Sequence, residues 1–287
     1  MTKKYNSVLI IGMGLIGSSI SRALVENHVA NSVYGLDSDD NIIKKCHDLN
    51  LLVQGETNLN NFDLQFDLII ICTPVETIGD VLQQIKPFID ENTLVTDVGS
   101  IKGSICNIAQ ETFGDSMASF IGSHPMAGSE KSGMEFSDPM LFMNRACILT
   151  PMDNVKESDL LSLRKFWEKM GMIVQILDPS SHDKIIADLS HLPHLISSIL
   201  AHSLAPKQEA AQKVGGQGLA DTTRIAEGDA NLWSNILLEN KKNLIPALQN
   251  FKRSLDSVEL SLEEGDIDKL RDFLEEGKEF RHSLQSK

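Results

Sequence analysis

Val8-Leu-Ile-Ile-Gly12-Met-Gly14-Leu-Ile-Gly17 reads as a strand, a Gly-x-Gly-x-x-Gly turn and the opening of a helix. Gly12 permits the tight turn, Gly14 lets the backbone approach a pyrophosphate, and Gly17 lets helix and strand pack closely. The helix start, at Leu15 and Ile16, offers unpaired N–H groups and the positive end of a dipole to phosphates. The following strand ends Val33-Tyr-Gly-Leu-Asp37, placing a carboxylate about 20 residues beyond the last glycine, where it can accept ribose hydroxyls. The glycines alone are a weak signal, and Asp37 alone would be an ordinary turn residue. In this context they specify a dinucleotide site. A carboxylate at Asp37 repels a 2′-phosphate, and Ser38-Asp39-Asp40 supply no Arg or Lys to receive one, so NAD is favoured over NADP. Cys72-Thr73-Pro74 closes a later strand and is expected beside the cofactor, because ligands lie beyond the carboxyl ends of parallel strands. A plain strand-to-loop stop explains Pro74 equally well.

Outward from this stretch the first half alternates β-rich runs with helical ones. The runs Val8–Ile11, Ser32–Leu36, Leu68–Cys72, Thr93–Thr96, Ser119–Gly122, Ala146–Thr150 and Met172–Leu177 are separated by helices such as Ser18–Glu26 and Ile78–Ile85. Several are apolar throughout, as strands covered on both faces of a parallel sheet must be. After Asp178-Pro179 the pattern turns helical: Ser181–Leu204, Asn231–Leu255 and an acidic amphipathic stretch from Val258 to Leu284, with one marked break at Val214–Asp229. The expected fold is a doubly wound, Rossmann-type α/β domain (1–178) followed by an all-helical domain (179–287). No repeat or low-complexity tract interrupts it, and the acidic last helix reads as a solvated face.

The 287 residues suit two domains with full cores. With 26 basic against 40 acidic side chains the net charge is −14, a surface that repels nucleic acid and anionic lipid. Any anionic ligand therefore needs a local cation. Cys46, Cys72, Cys106 and Cys147 are widely spaced, and the N-terminus lacks a signal-peptide pattern, so a reducing, cytoplasmic setting without membrane spans is expected.

Two loops follow predicted strands and open onto the cofactor crevice: Thr96-Asp97-Val-Gly-Ser100-Ile-Lys102-Gly103, and Gly122-Ser-His124-Pro-Met-Ala-Gly128-Ser-Glu130-Lys131. Oxidising an alcohol requires a base for the hydroxyl proton, and His is the common choice near neutrality. His124 is the best placed of the eight histidines, and Ser100 could orient the substrate hydroxyl or the imidazole. A lone histidine is more often a satisfied structural residue; its position beside the crevice argues otherwise here.

The segments Gly-Met-Gly-Leu-Ile-Gly, Asp97-Val-Gly-Ser-Ile-Lys102, His124-Pro-Met-Ala-Gly-Ser-Glu130, Ser190-His-Leu-Pro-His194 and Asp221-Thr-Thr-Arg-Ile-Ala226 occur in this order. Together they resemble the prephenate/arogenate dehydrogenase family of tyrosine biosynthesis, in its monofunctional form, over nearly the whole chain. The resemblance implies NAD-dependent oxidation and decarboxylation of a cyclohexadienol with a ring carboxylate, a ring hydroxyl and a pyruvyl or alanyl side chain. It implies that His124 takes the hydroxyl proton with Ser100 in support. Glu130 then lies near the pocket entrance, Lys102 belongs to the substrate site, and His194 and Arg224 meet the anionic groups. Arg224 also answers the charge requirement, since its planar fork suits a carboxylate. The plainer reading pairs it with Asp221 or Glu227, three residues away on either side.

Other readings explain less. A metal at His191 and His194, completed by His182 or His202, lacks the carboxylate or thiol of a recurring site, and none is expected. A 3-hydroxyacid dehydrogenase using Lys241 or Lys242 leaves the His124 block unexplained, and a non-catalytic NAD sensor would lack His124 or Ser100. Within the resemblance, an arogenate or dual-specificity enzyme is the alternative to a prephenate enzyme. Long apolar faces (Leu189, Leu192, Leu195, Ile196, Ile199, Leu200) point to a homodimer through the helical domain.

Overall fold

The structure, a computed structural model, describes residues 5–114, 119–128, 131 and 133–284. The glycine-rich stretch folds as strand β1 (Tyr5–Ile11) and helix α1 (Leu15–Glu26). There follow β2 (Ala30–Leu36), α2 (Asp40–Asp48), β3 (Gln54–Glu56), β4 (Leu68–Ile71), α3 (Ile78–Ile85), β5 (Leu94–Asp97) and α4 (Gly103–Phe113). Then come β6 (Ser119–Pro125), β7 (Ala146–Pro151), α5 (Glu157–Lys169) and β8 (Ile173–Ile176). One eight-stranded sheet results, in the order β3-β2-β1-β4-β5-β6-β7-β8.

All pairings are parallel except β6 with β7. Only Ser119 and Phe120 of β6 pair with β5; from Ile121 to Pro125 the strand pairs with β7 instead. This departure carries His124 four residues past the last pairing with β5.

Alternation sorts the central strands between two cores. Val8, Ile10, Leu68 and Ile70 pack on one face with Ile20, Ala23 and Leu24 of α1 and Phe166 and Trp167 of α5. Leu9, Ile11, Ile69 and Ile71 pack on the other with Ile78 and Leu82 of α3 and Ile105 and Ala109 of α4. Each fully buried side chain of this size contributes about 1.5–3 kcal/mol, so both faces must be covered for the sheet to persist.

The helical part contains α6 (Pro179–Ile186), one turn of π-helix (Ala187–His191), α7 (Leu192–Leu204), α8 (Gln208–Val214), α9 (Gln217–Thr223), a 3₁₀ turn (Arg224–Glu227), α10 (Ala230–Glu239), α11 (Lys241–Glu264) and α12 (Ile267–Ser283). Asp178 starts α6 by accepting the Ser181 N–H, with Pro179 in the first turn, where its missing N–H costs nothing. The sequence-based boundaries need correction in four places. Helix Ser181–Leu204 is interrupted by the π turn, and Asn231–Leu255 is divided at Asn240. The expected break at 214–229 contains α9. Val258–Leu284 spans a stop at Gly265, whose φ of +69° ends α11.

The chain forms two units, residues 1–240 and 241–287, so the helices from α6 to α10 fold together with the sheet. In the second unit α11 packs on α12. Among the described residues, no helix is long and apolar enough to cross a membrane.

Candidate active site

The β1–α1 turn is built around three glycines with different surroundings. Gly12 has φ +93°, and a Cβ there would stand 2.9 Å from the carbonyl of Cys72, so the turn lies directly against the end of β4. A Cβ on Gly17 would come within 2.0 Å of the Gly12 oxygen, forcing α1 away from the turn. Around Gly14 nothing lies within 4 Å of that position. The open side of the turn is therefore at Gly14, where α1 begins with no side-chain cap and no acidic residue in its first turn. Unpaired N–H groups of Leu15 and Ile16 at a helix N-terminus suit a diphosphate.

Asp37, at the end of β2, braces this turn. Its Oδ2 accepts the Met13 N–H (2.7 Å) and its Oδ1 the Asp39 N–H (3.0 Å). On the neighbouring strand the Thr73 hydroxyl is buried and unpartnered among the described residues, and Pro74 is exposed beside it. An open glycine, uncapped helix amides, a carboxylate at the strand end and an orphaned hydroxyl together fit a dinucleotide with free ribose hydroxyls.

His124 lies in β6 rather than just after it, and its ring is buried, with 6% of the residue exposed. Its Nδ1 is 2.8 Å from His182 Nε2, and His182 Nδ1 is 2.8 Å from Asp183 Oδ1. Asp183 also accepts the backbone N–H groups of Lys102 and Gly103, both at 2.8 Å. It thereby caps α4, which has no side-chain cap of its own. Burial pushes the Asp183 carboxyl up, but these three donors outweigh it and hold it below the ordinary carboxylate value. Burial, and then repulsion from the Lys102 ammonium and from the neighbouring His182 and His191 rings, holds His124 well below its ordinary value, so its ring is neutral at pH 7.

Neither His182 nor Asp183 was singled out for this role from sequence. Their only signal is a His-Asp pair in α6, 58 residues beyond His124.

Two expected site residues are placed differently. Lys102 is fully buried; its ammonium is ion-paired with Asp97 and donates to the Ser123 carbonyl at 2.9 Å. It belongs to the scaffold beneath His124 rather than to a substrate-contacting surface, because a buried carboxylate at Asp97 demands a cation inside the protein. Burial still raises the Asp97 carboxyl, with the Lys102 ammonium opposing. Ser100 is half-buried and makes no hydrogen bond to His124 among the described residues, which leaves its hydroxyl available to a ligand. Glu130 lies outside the described residues.

The helices supply a second wall. The His194 ring stacks on Trp233 with centroids 3.5 Å apart and planes at 11°, and His191 meets the same indole edge-on at 6.2 Å. The Asn240 amide donates to the Asp183 carbonyl (2.8 Å) and lies 3.0 Å from His191 Nδ1, tying this wall to the His124 group. His191 Nε2 is buried without a partner among the described residues, and burial lowers its pKa to about 4. His194 is also lowered by burial.

The turn bearing Arg224 packs on α7; a Cβ at Gly228 would lie 2.9 Å from His194 Cε1. Arg224 is exposed, and no ion pair joins it to Asp221 or Glu227 among the described residues; Asp221 instead accepts the Gln217 amide at 2.8 Å. The guanidinium is thus uncommitted. No group of three His, Cys, Asp or Glu side chains is arranged to hold a metal among the described residues.

Comparison with known proteins identifies the family. The family described as "Prephenate dehydrogenase, nucleotide-binding domain" matches residues 20–176, and "Prephenate dehydrogenase, dimerization domain" matches residues 178–276. A prephenate dehydrogenase of Lactococcus lactis subsp. cremoris is 34% identical over 97% of this chain and 77% of its own length. One of Bacillus subtilis is 28% identical over 99% of this chain and 77% of its own. The crystal structure of prephenate dehydrogenase from A. aeolicus, in complex with hydroxyphenyl propionate and NAD+, superposes with a TM-score of 0.91. It is 31% identical and covers 97% of this chain and 98% of that one. A glycine cradle on α1, a neutral histidine on β6 and two family models that meet between residues 176 and 178 lead to one assignment: the chain belongs to the prephenate dehydrogenase family.

Proposed function

We propose that the protein is a prephenate dehydrogenase, oxidising and decarboxylating prephenate to 4-hydroxyphenylpyruvate with NAD. The observation that carries this reading is His124, a buried and neutral imidazole on β6, in the same folding unit as the open Gly14 cradle. When bound, NAD+ would accept the hydride from the hydroxyl-bearing carbon. His124 takes the hydroxyl proton, so the O–H electrons form a carbonyl as the C–H electrons leave. The ring carboxylate departs as CO2, its bonding pair enters the ring, and the resulting phenolate takes a proton back from the His124 imidazolium to give the phenol. A neutral base at the outset is what the first step needs.

Around that centre, Gly12, Gly14, Gly17, Leu15 and Ile16 hold the diphosphate, Asp37 the adenosine ribose, and Thr73 and Pro74 flank the cofactor. Arg224, uncommitted and planar, takes a substrate carboxylate in a bidentate fork. Ser100 and His194 contact the substrate, and Glu130 stands at the entrance by resemblance. Residues 1–178 carry the cofactor; residues 179–287 bind substrate and dimerise. The dimer is supported by large apolar side chains left in solvent on the helices, including Leu189 (66%), Ile199 (50%) and Leu238 (64%). Four unpaired cysteines support a cytoplasmic location.

The test is steady-state reduction of NAD and NADP with prephenate and arogenate side by side. Prephenate with NAD is expected to be the best pair; no NADH from prephenate would overturn the reading. His124→Asn, which keeps polarity but removes the proton acceptor, is expected to lower kcat by about 10²–10⁴ with NAD affinity retained.

A further inference from the structure

We infer that His182 and Asp183 are positioning residues for the base, forming with His124 a chain that fixes which nitrogen of His124 accepts the substrate proton. The inference rests on the role of His124 proposed above.

The direction of the chain follows from its terminus. An ionised carboxylate only accepts hydrogen bonds, and Asp183 is kept ionised by the Lys102 and Gly103 N–H groups and by its place at the positive end of α4. The 2.8 Å contact to His182 therefore requires that Nδ1 of His182 carry the proton. A neutral His182 then has a bare Nε2, and the 2.8 Å contact to His124 requires that Nδ1 of His124 donate to it. His124 is left with a lone pair on Nε2. Asp183 thus dictates, through one intervening ring, the tautomer competent to take a hydroxyl proton.

The same chain serves the protonated state. An imidazolium at His124 still donates from Nδ1 to His182, and the carboxylate one ring further on offsets the new charge. Without this partner a cation would form in a buried site near the Lys102 ammonium. Lys102 opposes it, and the His191 and His182 rings packed nearby offer no negative charge; Cys147 on β7 interacts with the His124 backbone, and Asp97 on β5 is already matched by Lys102. The wrong tautomer behind a general base is costly, on the order of 10⁴ in kcat where an aspartate contacts the base directly. An effect relayed through a second ring is expected to be smaller.

Asp183 is also placed to report on the loop that carries Ser100. Its two backbone donors, the N–H groups of Lys102 and Gly103, directly follow Ser100 and Ile101, so base, relay and Ser100 loop share one anchor. A purely space-filling His182 would need neither nitrogen in register, yet both are engaged and the ring is fully buried.

The experiment uses the full chain labelled with ¹⁵N-histidine, with His182→Gln, Asp183→Asn and His124→Asn for assignment and comparison. In the wild type His124 is expected as the Nδ1–H tautomer with an unprotonated Nε2. Folded His182→Gln should lose about 10²-fold in kcat with KM for prephenate changed only a few-fold. Asp183→Asn should move the acid limb of the kcat/KM profile to lower pH, because the protonated base has lost its counter-charge. If His182→Gln does not fold, the wild-type tautomer and the Asp183→Asn profile decide. An Nε2–H tautomer in the wild type, or folded variants with wild-type kcat and pH profile at reduced Tm, would overturn the inference. Full activity in His124→Asn would instead remove the base assignment itself, which distinguishes the two failures.

Discussion

An uncommitted arginine on an acidic protein is the simplest feature of this site to interrogate. Arg224 forms no ion pair with the acidic residues beside it among the described residues, so removing it should leave the fold nearly untouched. Losing one partner of a bound charge pair costs about 2–5 kcal/mol. Because the side chain is exposed before substrate arrives, the lower end applies, and at 1.4 kcal/mol per decade KM for prephenate should rise about 30-fold in Arg224→Ala. Arg224→Lys should recover only part, since an ammonium lacks the fork. Steady-state kinetics with a thermal melt check both; an unchanged KM rejects Arg224 as a substrate contact. Asp37 braces the Met13 amide and is the proposed ribose acceptor. Asp37→Ala should therefore raise KM for NAD and narrow the preference over NADP, as measured by kcat/KM for each cofactor.

The turn between β1 and α1 separates packing from binding within one motif. Gly17→Ala drives a Cβ into the Gly12 carbonyl, and overpacking of this kind costs about 1–3 kcal/mol. A fall in Tm of several degrees is expected. Gly14→Ala meets nothing in the protein, so its Tm should hold while NAD affinity falls. This turn was fully legible in sequence because each glycine answers a local demand, and β4 was legible because Leu68–Ile71 is buried on both faces. What was not legible depended on distant partners. Strand β3 is three residues of Gln-Gly-Glu whose pairing with β2 owes nothing to apolar pattern. The direction of Lys102 was set by Asp97, and a cation near a crevice reads the same in sequence whether it faces ligand or core. His182 meets His124 only because α6 folds back on the sheet. The π turn after α6 is likewise invisible to a period of 3.6, although it sets where His191 and His194 emerge relative to His182.

Buried neutral histidines give the whole protein an acid limit. His124, His191 and His194 all have pKa values below the unfolded value near 6.5, and His191 falls to about 4. As pH drops through 6.5 the unfolded chain binds protons that the folded chain refuses, so stability declines from there toward pH 4. For His191 alone the shift corresponds to about 3 kcal/mol. Denaturant midpoints measured from pH 7.5 to 4.5 should fall steadily, and a midpoint constant over that range would contradict the burial described. The strand order also has a reading in time. Synthesis delivers β1 first; β2 and β3 add on one side, β4 returns to the other, and β5 to β8 each arrive beside the strand made just before. The sheet can thus spread from its centre while the ribosome is still working. His124 is laid down 58 residues ahead of His182. On the roles proposed here, a nascent chain therefore owns a finished nucleotide cradle well before it owns an oriented base, and the chemistry becomes available only when α6 reaches the completed sheet.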